Sequence, residues 1–113
     1  MGTQTSDLAA QKCQPCEGGT PPLSNEEIQD LLQSIEGWKF QNGQLHKAFD
    51  FKNYHHTIAF VNALAWVSHR ENHHPDLEVS YNRCKVSYVT HAIGGLSKND
   101  FICAAKTDRL FEP

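Results

Sequence analysis

The dipeptide Asn42-Gly43 lies between two short segments in which apolar and polar residues alternate. The apolar positions of the two segments are Trp38, Phe40, Leu45, Phe49 and Phe51. Asn-Gly is the dipeptide that a type I′ turn prefers, because both central residues of that turn have positive φ angles. Alternation places every second side chain on the same face of a strand. The sequence therefore predicts an antiparallel hairpin with one apolar face.

A second pair of alternating segments follows Pro75. Its apolar positions are Leu77, Val79, Tyr81, Val86 and Tyr88. Asn82-Arg83 lies between the two segments and favours a turn there. The pattern predicts a second hairpin whose last strand ends at His91.

Three helices are predicted around the hairpins. The first and the last begin at capping boxes, Ser24-Asn25-Glu26-Glu27 and Ser97-Lys98-Asn99-Asp100. The middle helix, over about residues 53–71, carries more apolar residues than one sheet face needs, which predicts burial on two sides. The order α-β-β-α-β-β-α predicts an α+β fold, with a four-stranded antiparallel sheet and helices packed on one face.

One domain fits the length of 113 residues. Residues 1–22 are polar and lack apolar periodicity, which predicts a flexible N-terminal tail ahead of a domain over residues 23–113. The net charge of −3 gives no broad basic surface, so no nucleic-acid partner is expected. No segment resembles a signal peptide or a membrane span, so we expect a cytoplasmic protein without a membrane partner.

Four cysteines occur in the sequence: Cys13, Cys16, Cys84 and Cys103. The first two have CxxC spacing, which is typical of half a zinc site or of a redox pair, but no second CxxC follows. We interpret them as incidental residues of the tail. Cys84 lies on the apolar side of its strand and Cys103 in an apolar stretch of the last helix, which indicates buried, inert thiols with raised pKa values.

His73, His74 and His91 are predicted to surround one pocket. The first two directly follow the middle helix, and Pro75 forces His74 out of helical geometry, so both rings can face one cleft. Pairing within the second hairpin would bring His91 back beside Pro75. His69 precedes His73 by four residues, so it is expected on the same helical face, at the rim. Imidazole donates or accepts a proton near neutral pH, which suits general acid/base catalysis.

Two other interpretations of these histidines stay open at this point. His69, His73 and His91 could supply three nitrogen ligands of a zinc site, although the His-Glu-x-x-His arrangement is absent. The rings could instead be solvated surface side chains, as we expect for His55-His56. The sequence favours acid/base catalysis over both alternatives.

The spacing of these residues resembles the signature of the pterin-4a-carbinolamine dehydratases over about residues 23–110. The residues that carry the resemblance are His69-x3-His73-His74-Pro75-x5-Tyr81-x9-His91-x8-Asp100. Members usually have an acidic residue at the first of these positions. The resemblance implies an α+β domain that assembles as a dimer or tetramer, with neither a metal nor a cofactor required.

The activity implied by this resemblance is that of a hydro-lyase. It dehydrates 4a-hydroxytetrahydropterin to quinonoid dihydropterin, which recycles the pterin, such as tetrahydrobiopterin, used by an aromatic amino-acid hydroxylase. Some members also bind a transcription factor. The alternative implied function is therefore a protein-interaction module that acts as a dimerisation cofactor or coactivator.

The resemblance also implies roles for individual residues. His73, His74 and His91 correspond to the acid/base and substrate-orienting residues. Asp100 is expected to support His91 or the rim of the site. The substrate-binding residues that it implies are His69, Asn72, Pro75, Tyr81, Val89, Thr90, Ala92 and Asp100.

Overall fold

The computed structural model describes residues 8–15 and 20–111. In chain order the elements are α1 (Asn25–Leu32), β1 (Lys39–Gln41), β2 (Gln44–Asp50), α2 (Tyr54–Glu71), β3 (Asp76–Val79), β4 (Arg83–Tyr88) and α3 (Lys98–Phe111). The strands form one sheet in the order β1-β2-β4-β3, and each neighbouring pair is antiparallel. The α+β architecture predicted from the sequence is confirmed.

The first hairpin turns at the predicted dipeptide. Asn42 and Gly43 have φ angles of 52° and 77°, which is the left-handed region that a type I′ turn requires at both positions. Phe40 pairs with Leu45 across this turn. The local chemistry of two residues therefore sets the register of β1 and β2.

The second hairpin turns one residue earlier than the sequence suggested. Ser80 N donates a hydrogen bond to the Arg83 carbonyl oxygen at 2.9 Å, so Tyr81 and Asn82 form the centre of the turn. The strand β4 then ends at Tyr88 instead of continuing to His91. A 3₁₀ turn over His91–Ile93 follows the strand and holds this histidine.

The helix α2 packs one face on the sheet and leaves another exposed. Its buried residues are Thr57, Phe60, Leu64, Val67 and Ser68. Trp66, on the other side, is 69% exposed, so burial on two sides is not reached within a single chain. Among the described residues, no helix combines the length and apolar character that crossing a bilayer needs.

The chain reverses direction directly after α2. Asn72 has a φ of 52°, and asparagine tolerates this left-handed conformation better than most residues do. His73 N donates to the Ser68 carbonyl oxygen at 3.2 Å, which is the long-range bond of a Schellman-type helix end. The residues that follow therefore leave the helix axis and do not continue its face.

Residues 8–15, which we call the N-terminal strap, pack against the domain. Leu8 is fully buried in the core, and Cys13 packs partly against it. A flexible tail was expected over residues 1–22, of which residues 1–7 and 16–19 lie outside the described part of the chain. Leu8 is the one buried apolar residue of the strap, which is too little to produce the periodicity that marks an element in a sequence.

The predicted capping box at the start of α1 is present. Ser24 Oγ accepts from Glu27 N at 3.1 Å, and Glu27 Oε1 accepts from Ser24 N at 2.8 Å. We expect Ser24→Ala to lower the free energy of unfolding by about 1 kcal/mol, measured by urea denaturation. Asn25→Ala, one residue further on, is the control and should change stability less. Equal stability of Ser24→Ala and the unsubstituted protein would contradict this role of the cap.

Candidate active site

A cleft of about 590 Å³ opens where the end of α2, the segment after β4, the start of α3 and the N-terminal strap meet. It contains the three histidines that the sequence analysis placed together, His73, His74 and His91. The other predicted site residues that line it are Asn72, Val89, Thr90 and Ala92. Side chains from four separate parts of the chain thus converge on one concave surface.

His73 is held by a buried carboxylate. Its Nε2 lies 2.6 Å from Asp100 Oδ1, and the Asp100 side chain is 0% exposed. A carboxylate only accepts hydrogen bonds, so Nε2 carries the proton of this bond and the neutral ring has its lone pair on Nδ1. Asp100 was expected to support His91 or the rim of the site, and its hydrogen bond is to the ring of His73.

Asp100 also caps the helix α3. Its Oδ2 accepts from Ser97 N at 2.9 Å and from Thr90 Oγ1 at 2.8 Å. The first bond is the backward half of the predicted capping box. A single carboxylate therefore fixes the helix start, the end of the β4 segment and the orientation of the His73 ring.

Tyr88 fixes the plane of the same imidazole. The two rings are stacked, with centroids 5.9 Å apart and an angle of 6° between their planes. Tyr88 Oη lies 3.0 Å from Thr107 Oγ1, and burial raises the pKa of the phenol above its ordinary value. The phenol therefore stays neutral and serves as a packing surface for His73.

His74 and His91 present more exposed side chains to the cleft. The position of His91 depends on the 3₁₀ turn that it begins. Thr90 N donates to the Gly95 carbonyl oxygen at 3.0 Å, which closes the loop, and Gly94 ends the turn with a φ of 66°. Glycine suits that left-handed position because it has no Cβ.

Four predicted site residues do not line the cleft. His69 lies beside Trp66 on α2, with ring centroids 6.1 Å apart. His73 does not continue this helical face, because the left-handed Asn72 turns the chain after the helix. Tyr81 is 64% exposed at the hairpin turn, about 20 Å along the strand from Pro75 at roughly 3.3 Å per residue. Asp100 lies behind the lining, in contact with His73, and Pro75 is not among the lining residues.

Comparison with known proteins identifies the family. The family described as pterin 4 alpha carbinolamine dehydratase matches residues 21–110. A Nitrosospira multiformis protein is 60% identical over 112 residues, 99% of each chain, and a Legionella pneumophila protein is 51% identical over 109 residues, 94% of this chain and 96% of its own. Both carry the provisional name pterin-4-alpha-carbinolamine dehydratase. The chain belongs to the pterin-4a-carbinolamine dehydratase family.

A solved structure shares the fold of this chain. The crystal structure of a Brucella melitensis protein, described as a transcriptional coactivator/pterin dehydratase, has a TM-score of 0.76 and 25% sequence identity to this chain. The likeness covers 79% of this chain and 97% of that one. The α+β fold inferred from the sequence is thus also the fold of a known pterin dehydratase.

Several residues that line the cleft were not predicted from the sequence. Arg70 and Glu71 line it next to the paired histidines, and Asn99 lines it next to Asp100. These residues are neighbours of motif residues in the sequence, and this proximity could have predicted them. The remaining missed residues, Cys13, Gln14 and Pro15, belong to the strap, whose CxxC spacing was interpreted as incidental.

Cys84 and Cys103 are packing residues, as the sequence indicated. Both are 0% exposed. Burial raises the pKa of the Cys84 thiol, and a hydrogen bond with Cys13, together with burial, raises that of Cys103. Cys16 lies outside the described residues. Within the described part of the chain, no group of three His, Cys, Asp or Glu side chains is arranged to hold a metal ion.

Proposed function

We propose that this chain dehydrates 4a-hydroxytetrahydropterin to quinonoid dihydropterin by histidine acid/base catalysis. The bond from ring carbon 4a to its hydroxyl oxygen breaks, nitrogen 5 loses its proton, and a double bond forms between this carbon and nitrogen. Water is the second product. The observation that carries the proposal is the cleft in which His73, oriented by Asp100, lies with His74 and His91.

The reaction needs one proton delivered and one removed. With its Nε2 proton held by Asp100, His73 is suited to take the proton of nitrogen 5 on Nδ1, and the carboxylate stabilises the imidazolium that forms. His74 or His91 then donates a proton to the departing hydroxyl. Asn72, Val89, Thr90 and Ala92 complete the substrate-binding surface. The elimination changes no net oxidation state, and imidazoles can supply both proton transfers, so we expect neither a redox cofactor nor a metal to be needed.

The physiological setting follows from the product. Quinonoid dihydropterin must be reduced before an aromatic amino-acid hydroxylase can use the pterin again, so we propose a functional link to such an enzyme. We also propose a cytoplasmic location. Reducing conditions there would keep Cys13, Cys84 and Cys103 as the free thiols that the structure contains.

Stopped-flow absorbance tests the proposed reaction. The decay of freshly generated 4a-hydroxytetrahydropterin is followed with and without catalytic amounts of the protein, before and after EDTA treatment. We expect acceleration that EDTA leaves unchanged. An uncatalysed decay rate in the presence of protein would refute the proposal, and acceleration lost with EDTA would replace histidine catalysis with a metal mechanism.

We further propose that the chain assembles as a dimer or tetramer, and the exposed face of α2 supports this. Trp66 is 69% exposed there, and a large exposed aromatic ring is typical of a protein contact surface. We expect Trp66→Ser to lower the molar mass measured by size-exclusion chromatography with light scattering. A monomeric mass for the unsubstituted protein would contradict the proposed assembly.

A second candidate function is a protein-interaction module. The observation that favours it is the description of the Brucella melitensis structure as a transcriptional coactivator as well as a pterin dehydratase. Such a role would survive the loss of His73, His74 and His91, because it uses the outer surface of the fold. A partner-dependent effect that persists in a variant lacking all three imidazoles would support it.

A further inference from the structure

The N-terminal strap is fixed to the domain by polar contacts along its length. Lys106 Nζ donates to the Ala9 carbonyl oxygen at 2.7 Å, and Cys13 N donates to Glu71 Oε1 at 2.8 Å. Lys106 and Glu71 also lie within ion-pair distance of each other, at 3.8 Å. Charged side chains of α2 and α3 therefore form hydrogen bonds with backbone atoms at both ends of the strap.

Two hydrogen bonds attach the strap to the domain at Gln14. Asn99 Oδ1 accepts from Gln14 N at 2.9 Å, and Asn99 Nδ2 donates to the Gln14 carbonyl oxygen at 2.6 Å. One buried side-chain amide thus pairs with both backbone groups of this residue. Because Asn99 directly precedes Asp100, the residue that orients His73, the strap and the imidazole are positioned by the same turn of α3.

This attachment places the strap at the cleft that contains the histidines. Cys13, Gln14 and Pro15 line it together with His73 and His91. The strap lies outside residues 21–110, which match the family, whereas the alignment with the Nitrosospira multiformis relative covers 99% of the chain. Part of the lining of the cleft, contributed by the strap, therefore lies outside the region that matches the family.

We propose that the strap is part of the substrate site and that Gln14 contacts the bound pterin. Pterins carry several hydrogen-bond donors and acceptors around their rings, and an amide side chain can pair with either kind. A residue that contacts substrate equally in the ground state and the transition state affects KM and leaves kcat unchanged. This inference rests on the proposed function, since it specifies how the same cleft holds its substrate.

A matched pair of glutamine variants tests the contact. Gln14→Ala should raise KM by about 3- to 10-fold, the loss expected for one neutral hydrogen bond, with kcat within about 2-fold of the unsubstituted enzyme. Gln11→Ala removes the same side chain from the same strap at a position outside the cleft lining, and should leave both constants unchanged. An unchanged KM in Gln14→Ala, or an equal rise in Gln11→Ala, would overturn the inference.

A substitution that detaches the strap without changing the cleft lining gives a second test. Leu8 anchors the strap in the core and does not line the cleft, so Leu8→Ala should raise KM at least as much as Gln14→Ala does. Ile28→Ala, in α1, also truncates a buried apolar side chain, and it should lower stability without raising KM. Equal KM values for the two truncations would show that the strap does not act as a wall of the site.

Calorimetric titration with biopterin, a stable oxidised pterin, separates this inference from the proposed reaction. Tight binding to the unsubstituted protein and binding about 3- to 10-fold weaker to Gln14→Ala would support the strap as part of the site, whether or not the protein accelerates dehydration. Equal affinities would overturn the inference and leave the proposed function standing. No binding to either protein, together with no acceleration, would overturn both.

Discussion

Replacing Asp100 with asparagine is expected to lower kcat by about 10²- to 10⁴-fold while the fold is kept. Ser97 N and Thr90 Oγ1 both donate to Oδ2, whereas His73 Nε2 contacts Oδ1. A backbone N–H can only donate, so the amide oxygen of the variant must face Ser97 and its NH₂ group must face His73. The imidazole would then accept through Nε2 and carry its proton on Nδ1, which is the wrong tautomer for a base in the cleft.

Two measurements check this prediction. Stopped-flow assays give kcat, and ¹⁵N chemical shifts of the His73 ring report which nitrogen is protonated. Asp108→Asn is the control, because Asp108 is a second buried carboxylate of α3 that instead contacts Trp38 and Lys47. The control should lose stability and keep kcat within about 2-fold. A normal kcat in Asp100→Asn would remove the Asp100–His73 pair from the mechanism.

His74→Ala is expected to reduce kcat by about 10²-fold or more through the loss of general acid/base catalysis. The side chain is exposed to the cleft, so its removal should cost little stability. His55→Ala removes an exposed histidine from α2 outside the cleft and should leave kcat unchanged. Thermal unfolding of both variants should give transitions close to that of the unsubstituted protein.

Added imidazole gives a further readout for His74→Ala. A small acid/base that diffuses into the space left by the side chain should restore part of the rate, with restoration increasing with imidazole concentration. The same addition should not affect His55→Ala. If His74→Ala turns over at the normal rate, His74 has no part in proton transfer, and the acid must be His91.

The elements predicted well from the sequence are those decided by local chemistry. Asn42-Gly43 specifies its turn through backbone preferences of two residues, and the Ser24 cap depends on contacts within one helical turn. The turn of the second hairpin was harder to place, because its residues have no strong local turn preference. Tyr81-Asn82 and Asn82-Arg83 are adjacent pairs, and neither is strongly preferred in one turn type.

The candidate site could be predicted only in part. The motif brought His73, His74 and His91 together, and the structure places all three in one cleft. Helical spacing predicted His69 and His73 on one face of the helix. This was wrong, because the left-handed conformation of Asn72 ends the helix before His73. The partner of Asp100 depends on how α3 crosses the end of α2, which is a tertiary contact that no spacing within the sequence encodes.

The strap shows a further limit of sequence reasoning. Its polar composition resembles that of a disordered tail, yet burial of Leu8 and hydrogen bonds to Glu71, Asn99 and Lys106 hold it on the domain. The contacts of the strap join residues far apart in sequence, such as Gln14 with Asn99 and Ala9 with Lys106. Only the folded domain brings these partners together.

The central claim is that the cleft with three histidines is the pterin site, and a titration of histidine-labelled protein with biopterin tests it most directly. ¹⁵N spectra would follow the rings of all seven histidines. The signals of His73, His74 and His91 should shift together and saturate, while those of His55-His56 should not move. If these three signals are unchanged at saturation, or if only His69 beside Trp66 responds, then pterin binds elsewhere and the account is contradicted.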